Sequence, residues 1–383
     1  MTGSTDFPDR KGRGMRENKG MKIFVTIILV ILLALIAVAI ALLGTGKAAE
    51  LLEKRGITFL SHKDKAETTA MTSETETAAP AAAEDAAAEA GAAAEVPAEP
   101  ADPGVLMIGD KEVNNGIVFS RTAATRAPAA GELTSTNCIL VNLQDDSIVL
   151  AQGEEERISP ASMTKVMTLM VAAEYMDPDT PVTITDEMIK YCADNGLSAA
   201  GFELGKTYTV HDMMYGAILP SGGEAVAALA ITGAGSEEDY VGVMNQKLTD
   251  SGLSDSAHFT NCAGSYDVNH YCTLTDMAAI MKAALVNDTA REVLTSKVYT
   301  IPATEAGKED LVLSNWFLRK IEEMDCGGTV LAAKTGYVEQ AGYCAVSYFI
   351  SNSGVPYICV TVHSDSDDNC ISDHAKIYRT YAV

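Results

Sequence analysis

The hydrophobic and polar positions divide the chain into three parts with different patterns. Residues 23–43 form an uninterrupted run of 21 uncharged residues, nearly all Ile, Leu, Val and Ala. Residues 66–103 contain nine Asp or Glu, no Lys or Arg and almost no large apolar side chains, so they cannot bury enough surface to fold. The periodic apolar positions of a packed domain follow in residues 131–383.

The pattern in this last part predicts an α+β domain. An apolar helix begins at Ser162, a helical block covers about 186–286 with capping boxes at Thr209 and Ser236, and an amphipathic helix covers about 371–381. Five segments have the composition of strands, the first two as a hairpin: 137–142, 147–151, 330–334, 344–350 and 357–362. This order predicts an antiparallel sheet flanked by helices, with a separate helical lobe.

The first part predicts a membrane anchor. About 20 consecutive apolar residues span a bilayer core, and residues 23–43 have that length. Six Lys or Arg precede the run, so we expect residues 1–22 to be a basic cytoplasmic tail and everything after the anchor to lie outside. A cleaved signal peptide is the alternative, because Gly44-Thr45-Gly46 offers small residues, although the run exceeds the usual length of about 7–15 residues. Residues 44–130, rich in Ala, Glu, Pro and Thr, are predicted to be an extended acidic linker.

Composition excludes some functions and leaves others open. A net charge of −24 makes nucleic acid an unsuitable partner, because binding phosphate requires a basic surface. His258 and His270 lack metal-ligand spacing, so we expect no metal and no cofactor. Eight cysteines outside the cytoplasm permit disulfides, with Cys262 and Cys272 as the pair to test, and fit a reducing habitat equally well. Three lie in strand-like runs that suit free core thiols: Cys138, Cys344 and Cys359.

The most informative chemistry is a serine three residues before a lysine. Ser162 and Lys165 share one face at the start of an apolar helix. A serine hydroxyl needs a base to become a nucleophile, and a lysine whose pKa is lowered by burial or by a neighbouring cation can be that base. The free N–H groups of a first helical turn would stabilise an oxyanion.

Three ordered motifs give the chain a family resemblance. Ser162-Met163-Thr164-Lys165, the Ser-Gly element at Ser221 and Lys334-Thr335-Gly336 resemble the motifs of penicillin-binding proteins and serine β-lactamases. The flanking segments 214–223, 258–271 and 332–344 are similar to the D-Ala-D-Ala carboxypeptidases among the low-molecular-weight penicillin-binding proteins. The resemblance covers roughly residue 137 to the C-terminus, and implies a transpeptidase-like fold with the active site between two lobes.

The resemblance also implies roles for the motif residues. Ser162 is the nucleophile, Lys165 its base, and Ser221 the relay of a proton to the leaving group. Lys334 binds the substrate carboxylate and helps to lower the pKa of Lys165. Thr335 is implied to hydrogen-bond the same carboxylate, and Gly336 to let the strand backbone approach the substrate closely. The N–H groups of Ser162 and Tyr337 are implied to form the oxyanion hole.

One position departs from the family. The second motif normally ends in asparagine, whose side chain is implied to hold the lysine base and the substrate amide, whereas here the residue is Gly223. Either another polar group or a water compensates, or turnover is impaired. Glu224, which follows, is expected to be a solvated glutamate at a helix start.

The expected protein is thus a D-alanyl-D-alanine carboxypeptidase anchored in a bacterial cell membrane by a single span, with its catalytic domain outside. It would remove terminal D-Ala from peptidoglycan stem peptides and be acylated by β-lactam antibiotics. The alternatives are a catalytically weak penicillin- or peptidoglycan-binding sensor and a class A-like β-lactamase, although no glutamate motif for the latter is evident between Lys165 and Lys334. The motifs do not separate a carboxypeptidase from an endopeptidase.

Overall fold

A six-stranded sheet is the frame of the part that the structure describes, residues 118–304 and 308–382 of a computed structural model. The strands in these ranges are β1 (Ser120–Arg126), β2 (Asn137–Asn142), β3 (Ser147–Gln152), β4 (Pro181–Thr183), β5 (Thr207–Thr209), β6 (Val298–Ile301), β7 (Leu311–Ser314), β8 (Gly328–Val338), β9 (Gly342–Ser351) and β10 (Pro356–Ser364). The large sheet has the order β1-β3-β2-β10-β9-β8. Its neighbours are antiparallel except β1 and β3, which are parallel.

The helices lie between and after these strands. They are α1 (Lys165–Tyr175), α2 (Asp186–Asp194), α3 (Val210–Ile218), α4 (Gly223–Ala234), α5 (Glu237–Asp250), α6 (Leu274–Val286), α7 (Asp288–Thr295), α8 (Trp316–Ile321) and α9 (Asp367–Tyr381). The predicted helical block is present as α2–α6, interrupted by loops at 195–206 and 251–273 and by the short strand β5, which the sequence pattern did not predict. The capping box at Thr209 forms as expected: Thr209 Oγ1 accepts from the N–H of Asp212 at 3.1 Å, and Asp212 Oδ2 accepts from the N–H of Thr209 at 2.9 Å. At Ser236 the N-cap half of the predicted box is present, with Ser236 Oγ accepting from the N–H of Asp239 at 3.1 Å.

Both faces of the sheet are buried. One face packs against the helical lobe built around α1, and the other packs against α8 and α9. Successive side chains of a strand point to opposite faces, so in β9 Val346 belongs to the first core and Ala345 to the second. Strand β8 lies at the edge of the sheet, and its free side is open to a cleft between sheet and lobe.

The first strand was missed by the sequence pattern. β1 lies within residues 44–130, which we predicted to be linker, so the sheet begins before the predicted boundary at 131. Its sequence, SRTAATR, has no alternating apolar residues, and nearly all of its side chains are exposed. A strand held by backbone pairing with β3 leaves no hydrophobic signal.

The predicted tail, anchor and most of the linker, residues 1–117, lie outside the described residues. Among residues 118–304 and 308–382, no helix has the length and hydrophobicity needed to cross a bilayer. All eight cysteines are buried free thiols, so Cys262 and Cys272 are not bonded to each other. Cys138, Cys344 and Cys359 are core residues, as their strand-like context suggested.

Candidate active site

The turn that carries Ser162 is compressed between two backbones. It is a 3₁₀ turn, Ala161–Thr164, that leads directly into α1, and Ala161 has a positive φ of 47°. A Cβ atom on Gly264 would lie 1.8 Å from the Ala161 carbonyl oxygen, and one on Gly336 would lie 2.8 Å from the Ser162 nitrogen. Only glycine permits these approaches. Gly336 therefore brings the edge strand β8 against the backbone N–H of the nucleophile.

Lys165 is placed to act on the Ser162 hydroxyl. Its Nζ lies 2.7 Å from Ser162 Oγ and donates to the carbonyl oxygen of Ala263 at 2.9 Å. The side chain is fully buried because α1 is buried on all sides at its start. Burial, and then the positive charge of Lys334, lower the pKa of Lys165 well below its usual value. A neutral amine beside a serine hydroxyl can accept its proton.

The second lysine joins the strand to the helical lobe. Lys334 Nζ donates to Ser221 Oγ at 3.0 Å and to the carbonyl oxygen of Thr335 at 2.7 Å. It is buried, which lowers the pKa of Lys334 to about 7. Ser221 has a positive φ of 65°, an unusual conformation for a residue with a side chain, at the turn between α3 and α4.

These groups share one cleft of about 320 Å³. The cleft is lined by every predicted site residue except the two lysines: Ser162, Ser221, Thr335, Gly336 and Tyr337. The lysines are buried behind it, and each contacts one of the two serines that line the cleft. The rest of the wall comes from loop 195–206, α8, β9 and α9, and includes Leu197, Ser198, Trp316, Tyr343 and Asp367.

A loop that sequence reasoning assigned no role holds the lysine base. The Asn261 Oδ1 atom accepts from three consecutive N–H groups, those of Ala263, Gly264 and Ser265, at 3.2, 2.7 and 3.0 Å. This arrangement aims the Ala263 carbonyl at Lys165. An asparagine followed by small residues is a turn signal in the sequence, but the partner of the turn is 98 residues away.

His270 supports the same turn from behind. Its Nδ1 accepts from the N–H of Thr260 at 3.0 Å, and its Nε2 lies 2.8 Å from Thr164 Oγ1. Because Nδ1 accepts, the neutral ring carries its proton on Nε2 and donates to Thr164. Burial lowers the pKa of His270 to about 4. The histidine thus organises the loop and the nucleophile turn.

The second motif differs from expectation at one residue. Glu224 is not solvated: it is buried at the start of α4, and its Oε1 accepts from the N–H groups of Ala200 and Gly201 at 2.7 and 2.8 Å. The sequence suggested a solvent-facing helix start because it did not show that loop 195–206 folds over this end of α4. Gly223 is the first residue of α4, and its N–H donates to the Ser198 carbonyl at 2.8 Å.

The site contains the parts needed for acyl transfer through serine. It has a nucleophile with a neutral amine beside it, a second hydroxyl beside a second lysine, and a backbone N–H at the nucleophile for a developing oxyanion. Within the two described ranges no cluster of His, Cys, Asp and Glu is arranged to hold a metal ion.

Comparisons with known proteins agree with this geometry. A family model described as D-alanyl-D-alanine carboxypeptidase matches residues 122–366. The chain is 29% identical over 210 residues to the D-alanyl-D-alanine carboxypeptidase DacF of Bacillus subtilis. The matched region covers 54% of this chain and 52% of that protein. It is 30% identical over 234 residues to the D-alanyl-D-alanine carboxypeptidase of Streptomyces sp. strain K15, covering 59% and 79%. The chain thus spans about half the length of the Bacillus relative.

Solved structures show the same fold. The crystal structure of the Streptomyces K15 DD-transpeptidase superposes with a TM-score of 0.58 at 26% identity, covering 64% of this chain and 95% of that one. Penicillin-binding protein 5 from Haemophilus influenzae superposes with a TM-score of 0.55 at 25% identity, covering 64% and 70%.

Proposed function

Because the chain belongs to the D-alanyl-D-alanine carboxypeptidase family, we propose that it hydrolyses the terminal D-Ala-D-Ala bond of peptidoglycan stem peptides through an acyl-enzyme on Ser162. The observation that carries this proposal is the 2.7 Å contact between Ser162 Oγ and a buried lysine whose pKa is lowered. The lysine can take the hydroxyl proton as the oxygen attacks.

The geometry supports a role for each motif residue. The terminal carboxylate of the substrate binds to Lys334 and Thr335 at the open edge of β8. Ser162 Oγ attacks the carbonyl of the penultimate D-Ala, and the Ser162 and Tyr337 N–H groups stabilise the oxyanion. Ser221, bonded to Lys334, passes a proton to the nitrogen of the departing D-Ala.

Hydrolysis completes the cycle at the same groups. A water replaces the departed D-Ala, and Lys165 accepts its proton as the oxygen attacks the acyl-enzyme carbonyl. The ester bond to Ser162 breaks, the serine recovers a proton, and the shortened peptide leaves. A β-lactam enters by the same first step, with its amide carbonyl acylating Ser162.

Membrane anchoring is a second part of the proposal. The apolar run 23–43 and the basic residues before it support a single span in the bacterial cell membrane, with the catalytic domain outside. Protease digestion of intact cells tests this placement. Removal of the catalytic domain from intact cells, leaving a fragment in the membrane, is the expected result, whereas full protection would contradict it.

The acyl-enzyme is tested by an intact-mass time course of the detergent-solubilised full chain with benzylpenicillin. We expect a long-lived adduct on the wild type and none on Ser162→Ala, together with release of D-Ala from a D-Ala-D-Ala peptide by the wild type alone. Rapid hydrolysis of the drug without an adduct would favour the β-lactamase alternative. An adduct without D-Ala release would favour the sensor.

A further inference from the structure

A side chain at position 223 would collide with the neighbouring loop. A Cβ atom added to Gly223 would lie 2.7 Å from Leu197 Cβ, 2.8 Å from Leu197 Cδ1 and 3.1 Å from Cys192 Sγ. A Cβ on Gly222 would lie 2.6 Å from Ala200 Cβ. The loop thus occupies the space in which a side chain at this end of the second motif would begin.

A buried glutamate holds the loop in this position. Oε1 of Glu224 accepts from the N–H groups of Ala200 and Gly201, and the Gly223 N–H donates to the carbonyl of Ser198. The Cys192 thiol donates to the carbonyls of Leu197 and Ser198, both at 3.3 Å. Three separate groups therefore tie residues 197–201 to α4 and α2. Burying a carboxylate is costly unless it is hydrogen-bonded, and the two bonds to Oε1 offset part of this cost, whereas Oε2 of Glu224 is buried without a hydrogen-bond partner in the described part of the chain.

One task of the missing asparagine, holding the lysine base, is covered elsewhere in the site. The lysine base is held by the Ala263 carbonyl, which needs no side chain from position 223. The cleft wall beside Ser221 is formed by the loop itself, and Leu197 and Ser198 line it.

We propose that Glu224 is a positioning residue, which clamps residues 197–201 as the cleft wall in the place of a side chain at position 223. Glycine at position 223 is then required by the position of this loop, and it does not indicate a loss of function. This inference rests on the proposed function. It also predicts that restoring the asparagine of the family harms the enzyme, whereas motif comparison alone predicts an improvement.

The first test is a double-mutant cycle of Gly223→Asn and Leu197→Gly in the full chain. The measured quantity is the rate at which benzylpenicillin acylates each variant, followed by mass spectrometry. Gly223→Asn should acylate about 10- to 100-fold more slowly, as expected when a reacting group is displaced by about 1 Å. The double variant should recover at least part of the loss, because both of the closest atoms belong to Leu197. Gly242→Asn is the matched control, since a Cβ at Gly242 in α5 meets nothing within 4 Å.

The second test separates positioning from a general structural role. Glu224→Ala removes the acceptor and should slow acylation about 10-fold or more, while Glu224→Gln keeps an oxygen at the same place and should stay within about 3-fold of the wild type. Equal acylation rates in Glu224→Ala and the wild type would overturn the proposal. So would a Gly223→Asn variant as fast as the wild type, or a double variant no better than Gly223→Asn.

The melting temperatures of the same four proteins provide a second measurement, which does not depend on enzymatic activity. Gly223→Asn should lower it and Leu197→Gly should restore part of the loss, and additive effects would overturn the steric argument. A wild type without an adduct would therefore refute the proposed function but leave the clamp measurable.

Discussion

Gly336→Ala is the sharpest perturbation of the contact between the edge strand and the nucleophile. The added methyl group would lie 2.8 Å from the Ser162 nitrogen, 2.9 Å from Ala161 Cβ and 3.0 Å from Cys344 Sγ. Ordinary van der Waals contact begins near 3.4 Å, so the strand and the turn must separate by about 0.6 Å. Two of the three atoms belong to the backbone or to a Cβ, which cannot rotate away.

The expected cost has two parts. Overpacking of this kind destabilises a domain by about 1–3 kcal/mol, which corresponds to a fall in melting temperature of roughly 2–12 °C for a domain of this size. The displacement also moves the Ser162 N–H relative to β8, where the oxyanion would form. Loss of one such donor slows acyl transfer about 10²- to 10³-fold.

The assay combines the mass-spectrometric acylation rate with thermal unfolding of the same protein. Gly242→Ala serves as control, because its Cβ meets open space in a helix interior, where alanine is favoured over glycine by up to about 1 kcal/mol. If Gly336→Ala acylated at the wild-type rate, the close approach of β8 would not be what places the reacting groups, and the reasoning would fail.

Three further predictions concern the lysines and the buried polar groups. Lys334→Met should raise the pKa of Lys165 by removing a neighbouring positive charge, so the acid limb of the acylation pH profile should move to higher pH; an unmoved limb would contradict the coupling. The unfolding free energy should fall as pH drops from 6.5 to about 4, by on the order of 3 kcal/mol from His270, because the unfolded ring takes up a proton that the folded one excludes. Denaturant titrations of His270→Gln should show a smaller change of the unfolding free energy over this pH range than those of the wild type. Asp373→Ala should cost about 2–4 kcal/mol, since it removes the buried Oδ2 that accepts four hydrogen bonds from Thr134 and Ser135, and a melting temperature within 2 °C of wild type would refute this.

The core strands were predictable because their apolar side chains alternate or run continuously, as in β2 and β9. β1 was not predictable, because exposed side chains on a parallel edge strand leave no pattern. The same distinction applies to the site. Residue type and spacing identify Ser162 and Lys165, whereas the groups around them are carbonyls, N–H groups and loop atoms that any sequence contains.

The sequence by itself determined the reactive groups: a serine and a lysine on one helical face, a second serine, and a lysine followed by threonine and glycine on a strand. It also determined the long apolar run and the acidic tract before the domain. Only the tertiary structure decided that Glu224 is buried, that Ala263 holds the base and that Leu197 fills the space beside Gly223. The physical reason is that these contacts join segments tens of residues apart through backbone groups and excluded volume, and neither has a signature in residue type.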